Sequence, residues 1–182
     1  MFEVEQLTAD LDMDMFYERY VDKEKFQKIC EDCEQYNKNW SCPPFDFDSD
    51  DIWKSYRKIK IIAFKYVFSE DLLNETFSKP QLDVFLKKLE RTKIKLMNII
   101  YKMEDDDSLA LFIGNCNLCA RCTREFGMPC KMPFKLRYSI ESLGGDVDSL
   151  CKDVFGDEIL YAENGKLPEY MYFVGALLYD KI

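Results

Sequence analysis

The 182-residue chain contains no histidine, and this absence narrows both its catalytic chemistry and its metal sites. Ser–His–Asp and Cys–His catalysis are excluded, because both need an imidazole. A metal centre in this chain would have to be rich in thiolates, and such soft ligands select zinc, copper(I) or iron–sulfur clusters. The pair Gly144-Gly145 lacks the surroundings of a P-loop or a G-x-G-x-x-G fingerprint, so it predicts only a tight turn.

Long apolar runs and an excess of basic residues are also missing. No run reaches the ~18 residues that a membrane span needs, and the longest candidate, residues 170–179, is predicted to be a buried strand. The net charge of −9 argues against nucleic acid, since phosphate binding requires clustered Lys and Arg. The first residues lack the basic and apolar regions of a signal peptide. We therefore expect a cytoplasmic protein that binds neither membranes nor nucleic acid.

Seven of the eight cysteines fall into two groups. The first group is Cys30, Cys33 and Cys42, and the second is Cys116, Cys119, Cys122 and Cys130. An even number of cysteines would suit a disulfide framework in a secreted chain, but thiols stay reduced in the cytoplasm. A chain of this length also buries a sizeable core without cross-links. The clustered thiols therefore predict metal binding.

Hydrophobic periodicity predicts an α+β fold, as a single compact domain over residues 1–182. Residues 58–68 and 108–113 are expected to form strands, and residues 80–103 the longest helix between them. This order predicts a βαβ unit within a small mixed sheet. The second cysteine group follows the second strand directly. We therefore expect the cysteine-rich loops at one end of the sheet, where open α/β sheets usually place their sites.

A shorter helix is expected to carry the first two cysteines. Asp22 can cap this helix, which is predicted to run to about Cys33. The predicted apolar stripe consists of Phe26, Ile29, Cys30 and Cys33. This spacing predicts that both cysteines point towards the core together.

The second group carries the more specific pattern. Cys116, Cys119 and Cys122 form a C-x2-C-x2-C run like that of ferredoxin-type [4Fe–4S] sites, in which a fourth cysteine follows. Here Cys130 follows after seven intervening residues, so it either completes this cluster or reaches the first group. Zinc is the alternative, because two separated C-x2-C pairs make a structural four-cysteine site. Zinc would leave three cysteines without a role, so the ligand count favours iron–sulfur.

The seven grouped thiolates divide most simply into a set of four, the second group, and a set of three, the first group. The second group would then close one cluster, and the first would have a position open to water, substrate or a distant carboxylate. Cys151 lies on the apolar stripe of a helix that Asp146 can cap, so it is expected to be a packing thiol. Whether Cys130 or Cys151 completes a three-cysteine group stays open at this point.

The two cysteine groups predict one or two iron–sulfur clusters that serve electron transfer or an undefined redox reaction. A redox protein is the expected partner. The alternative is a zinc-binding structural or interaction domain without catalysis.

Two blocks of the sequence carry a resemblance to a known family. The first, from Cys30 to Pro44, reads C-x2-C-x2-Y-x3-W-x-C-P-P. The second reads G-x-C-x2-C-x2-C over residues 114–122, followed by C-x2-P from Cys130 and by R-x-S-x-E-x2-G over residues 137–144. Both blocks resemble signatures of the DUF2284 family, described as predicted metal-binding proteins. The resemblance implies metal binding but no established reaction.

Overall fold

The computed structural model describes residues 2–182, which contain a four-stranded sheet with helices on both faces. The strands are β1 (Phe2–Asp12), β2 (Tyr56–Phe68), β3 (Leu109–Leu111) and β4 (Tyr170–Lys181). The helices are α1 (Met13–Tyr20), α2 (Lys23–Glu31), α3 (Ser49–Trp53), α4 (Glu70–Asn74), α5 (Lys79–Tyr101) and α6 (Val147–Phe155). Single 3₁₀ turns cover Thr123–Phe126, Pro133–Lys135 and Glu141–Leu143.

The strand order is β1-β2-β4-β3, and each neighbouring pair of these strands is antiparallel. The predicted α+β class is confirmed, but the prediction of a mixed sheet is wrong. β2 and β3 do run in the same direction on either side of α5 in the sequence, as a βαβ unit requires. However, β4 lies between them and pairs with both, so no two parallel strands are neighbours.

β2 is central because its apolar side chains are buried on both faces of the sheet. Alternate residues of a strand point to opposite faces. Ile59 and Ile61 therefore join the core beneath α1 and α6, whereas Ile62 and Phe64 join the core beneath α5. Burial on both faces explains why β2 has a nearly continuous apolar sequence rather than a strict alternation.

The long helix α5 packs closely on β3 and β4. At its start, Gln81 accepts a hydrogen bond from the backbone N–H of Ser78 at 2.9 Å, which is half of a capping box. Near its end, Ile100 packs over Gly175 of β4. A Cβ at Gly175 would lie 2.6 Å from Ile100 Cδ1 and 2.7 Å from the Leu111 carbonyl oxygen, so only glycine fits there. No helix within residues 2–182 has the length and apolarity needed to cross a membrane.

The Gly144-Gly145 turn joins the N-terminal helices to α6. The Gly144 carbonyl accepts a hydrogen bond from the N–H of Asp22 at 2.8 Å. The Tyr20 carbonyl accepts one from the N–H of Asp146 at 2.7 Å. Both aspartates also act as the predicted helix caps, Asp22 for α2 and Asp146 for α6. These bonds place α2 directly beside the 3₁₀ turn at residues 141–143.

Candidate metal centre

The four thiols of the second cysteine group line one small cavity. They are Cys116, Cys119, Cys122 and Cys130. Cys116 follows β3 through a left-handed turn at Gly114, where φ is +60°. Burial raises the pKa of Cys116, and the other three thiols raise it further, against an opposing hydrogen bond from the backbone N–H of Leu118. The other three thiols are therefore close enough to influence the ionisation of Cys116.

Backbone N–H groups point at two of these sulfurs. The N–H of Trp40 donates to Cys122 Sγ at 3.4 Å, and the N–H of Met132 donates to Cys130 Sγ at 3.4 Å. Such donors stabilise a thiolate, and in iron–sulfur proteins hydrogen bonds to the sulfurs tune the reduction potential. The Trp40 indole N–H donates to the Met128 carbonyl at 3.1 Å, which fixes this ring beside the cavity.

The thiols of the first group are also close to one another but less enclosed. Cys30 and Cys42 are half-buried, and Cys33 is exposed. Burial raises the pKa of Cys30 to about 11, with further contributions from Cys33 and Glu141. Burial also raises the pKa of Cys42 to about 11; a hydrogen bond with Ser41 opposes this shift, and Cys33 and Cys30 add to it.

The prediction that Cys30 and Cys33 face the core together is wrong. Phe26 is buried, at 8% exposed, but Ile29 is 53% exposed and Cys33 is exposed as well. The physical reason is that α2 ends at Glu31, so Cys33 lies in the following turn and no longer continues the helical stripe.

Two buried polar residues connect the two cysteine groups. Ser41 Oγ accepts a hydrogen bond from the N–H of Cys116 at 2.8 Å and lies 3.9 Å from Cys42 Sγ. The Asn39 side chain donates to the Cys116 carbonyl at 2.9 Å. The predicted gathering of the cysteine-rich loops at one end of the sheet is therefore confirmed.

Arg124 ties the same loops together and was missed from sequence. Its guanidinium donates to the carbonyls of Asn39 at 3.0 Å, Cys42 at 2.5 Å and Pro44 at 2.5 Å. It also lies over the Trp40 ring, 4.9 Å from the centroid, at a distance typical of cation–π contacts. In the sequence, the one indication of this role is that Arg124 lies two residues after Cys122.

A cleft of about 410 Å³ opens beside the first group. Its walls include Cys30, Phe45 and Glu141. This volume lies within the range of about 300–1,000 Å³ typical of small-molecule sites. Burial raises the pKa of Glu141, and hydrogen bonding to its own N–H and to Ser139, together with the charge of Lys93, opposes that shift. The sequence alone predicts capping or hydrogen bonding for Glu141, in preference to an acid/base pair with Asp146.

Lys93 is a buried cation on α5. It is 5% exposed, and its Nζ lies 3.3 Å from Glu90 Oε1 and close to the Gly114 turn. The lysine-rich sequence of this helix predicts a solvated charged face, and that prediction is wrong for Lys93. The sequence did contain a signal, because Lys93 lies four residues after the buried Leu89 and three before the buried Leu96.

The cysteines are free thiols. Within residues 2–182, no three or more Cys, Asp or Glu side chains converge closely enough to hold one metal ion. Cys151 is fully buried in the core beneath α6, as its helical position predicts, and burial raises its pKa to about 12.

The fold and the two thiol groups define a cysteine-rich α+β protein. A model of the family of predicted metal-binding proteins DUF2284 matches residues 16–179, and the chain belongs to that family. Neither the curated proteins nor the solved structures contain a match to this chain.

Proposed function

We propose that this protein binds one or two [4Fe–4S] clusters and uses them for electron transfer or a redox reaction. One cluster would be held by Cys116, Cys119, Cys122 and Cys130. A second would be held by Cys30, Cys33 and Cys42 with one position left for another ligand.

The observation that carries this proposal is the spacing of the second group. Cys116, Cys119 and Cys122 form a C-x2-C-x2-C run, and Cys130 lines the same cavity as these three thiols. Three thiols in such a run with a fourth cysteine after them are typical of ferredoxin-type [4Fe–4S] sites. A structural zinc site is usually built from two separated C-x2-C pairs instead. The sequence spacing therefore supports a cluster over one zinc ion.

The surroundings of the second group support the same assignment. The N–H donors from Trp40 and Met132 reach sulfur atoms, as in iron–sulfur proteins generally. The cavity between these thiols measures about 20 Å³. The thiols also need a reducing compartment, and we place the protein in the cytoplasm for that reason. A net charge of −9 would suit a redox partner with a basic surface.

Anaerobic purification tests the proposal. We expect a brown protein that absorbs near ~400 nm and holds about eight irons per chain with two clusters, or about four with one. Acid-labile sulfide should match the iron. A colourless protein with about one or two zinc ions and no iron would overturn the assignment in favour of a structural zinc domain.

A further inference from the structure

The Glu141 carboxylate is buried with one oxygen unsatisfied. Glu141 Oε2 has no hydrogen-bond partner among residues 2–182 and is shielded from solvent. Leaving a buried carboxylate oxygen unpaired is costly, and native proteins rarely retain such a group without a functional reason. Among the described residues it is the only buried side-chain nitrogen or oxygen left without a partner. An additional ligand at this oxygen would explain why the residue is tolerated.

The fold fixes this carboxylate beside the first cysteine group. The hydrogen bond from the Asp22 N–H to the Gly144 carbonyl holds the start of α2 against the 141–143 turn. As a result Cys30, near the end of α2, and Glu141 line the same cleft. They are close enough for the carboxylate to raise the pKa of the Cys30 thiol.

Other carboxylates near the cleft already have partners or face solvent. Asp48 caps α3 and accepts a hydrogen bond from Lys23 at 2.9 Å. Asp146 caps α6 and pairs with Lys25 at 2.7 Å. Glu24 lines the cleft but is exposed. Glu141 is therefore the carboxylate in this region with a buried oxygen free to bind a metal.

We propose that Glu141 is the fourth ligand of the metal centre at Cys30, Cys33 and Cys42. This inference rests on the function proposed above. A carboxylate oxygen is a harder ligand than a thiolate and suits a soft iron–sulfur site less well. The Glu141 position would therefore exchange more readily than the three thiolate positions. Because Glu141 lines the cleft, a small molecule entering there could take over its position on the metal.

The test uses the full chain purified anaerobically and labelled with ⁵⁷Fe. In the wild type we expect a Mössbauer component from one iron that differs from the all-thiolate irons. Glu141→Ala should remove that component. Glu141→Cys should keep the iron content of the wild type, with the distinct component replaced by an all-thiolate one. Glu24→Gln is the matched control, since it changes an exposed carboxylate in the same cleft, and it should leave the spectrum unchanged.

Thermal unfolding of the metal-free protein separates ligation from a structural role. Removing a buried carboxylate with one unsatisfied oxygen should leave the midpoint unchanged or raise it, in both Glu141→Gln and Glu141→Ala. A lowered midpoint in both variants, together with loss of iron in Glu141→Cys, would mean that Glu141 is a structural residue and would overturn the inference.

The remaining outcomes distinguish this inference from the proposed function. If Cys42→Ser lowers the iron content but Glu141→Ala leaves the spectrum unchanged, the inference fails and the iron–sulfur assignment stands. If Cys42→Ser has no effect on the iron content, the first group holds no iron and the inference fails, whereas the proposed function stands with one cluster at the second group. If the wild type holds no iron at all, both fail together.

Discussion

The two cysteine groups differ in how completely the protein surrounds them. The second group has four thiols around one cavity, and two of their sulfurs accept backbone hydrogen bonds. The first group has three thiols, of which Cys33 is exposed and Cys30 lines an open cleft. Centres whose coordination positions are all filled by protein ligands typically stabilise the structure or transfer electrons. A vacant coordination position is typical of catalytic metal sites. Under the proposed function, the second group would therefore enclose its cluster, and the first would leave one position of its cluster open.

The largest expected effect comes from removing one thiolate of the second cysteine group. Cys119→Ser should lower the iron content from about eight to about four per chain, since one cluster loses a thiolate. Iron analysis and the absorbance near ~400 nm measure this change. Cys151→Ala is the control, because it removes a buried thiol outside both groups and should leave iron unchanged. Complete loss of iron in Cys119→Ser would mean that the two groups form one centre.

A second prediction concerns the lability of the first group. Iron release to a chelator should be biphasic in the wild type, with about half of the iron in the fast phase for two equal clusters. Cys42→Ser should abolish the fast phase and leave the slow one, because the enclosed group keeps its cluster. If Cys42→Ser removed the slow phase instead, the first group would be the one that holds its iron more tightly, which would contradict the prediction.

A smaller effect, on stability, is expected from Arg124, which links the loops of the two cysteine groups. Arg124→Ala removes three hydrogen bonds to loop carbonyls, and we expect it to lower the free energy of unfolding of the metal-free protein by about 2–3 kcal/mol. Urea titration measures this change. Arg121→Ala is the control, because Arg121 is largely exposed and its contacts, an ion pair with Glu125 and a cation–π contact with Phe126, lie at the surface, so it should cost less than about 1 kcal/mol. Equal effects of the two substitutions would show that Arg124 does not hold the loops together.

The smallest effect is a pH dependence near the start of α2. Burial of Asp50 opposes ionisation, but hydrogen bonds from Lys23, Lys54 and Tyr17 outweigh it and lower the pKa of Asp50 from 3.8 to about 2. The folded state therefore gains stability from ionised Asp50 above pH 3.8, and this gain is lost as the pH falls through about 2. Urea titrations of the metal-free protein between these pH values should show the loss. Asp50→Asn should show a flatter profile, and an unchanged slope would contradict the assignment.

Much of the local structure could be predicted because its signals are local. The caps at Asp22 and Asp146 and the apolar run of β2 all depend on neighbours in sequence. The cysteine spacings likewise identified the thiols that line the cavity of the second group. β1 was missed because it lies at the edge of the sheet, and its many exposed residues leave no apolar run.

The rest depended on contacts between distant segments. Nothing in the sequence between β2 and β3 indicates that β4 will pair with both. The partners of Arg124 lie about 80 residues away, so its role depends on how the loops meet. The burial of Glu141 likewise follows from the docking of α2 against its turn, which no single segment predicts.

The position of β4 in the sheet has a consequence for biosynthesis. Among the described residues β4 is the only strand that pairs with β3, and it begins at Tyr170, long after β3 ends at Leu111. On the ribosome, the loop that carries Cys116 is therefore made well before its supporting strand is paired. A nascent chain that stalls or is cut before Tyr170 would carry these thiols on a loop that follows an unpaired strand β3. If the second group binds a cluster as proposed, we expect its insertion to follow translation of β4 and truncated chains to be poor recipients of the metal.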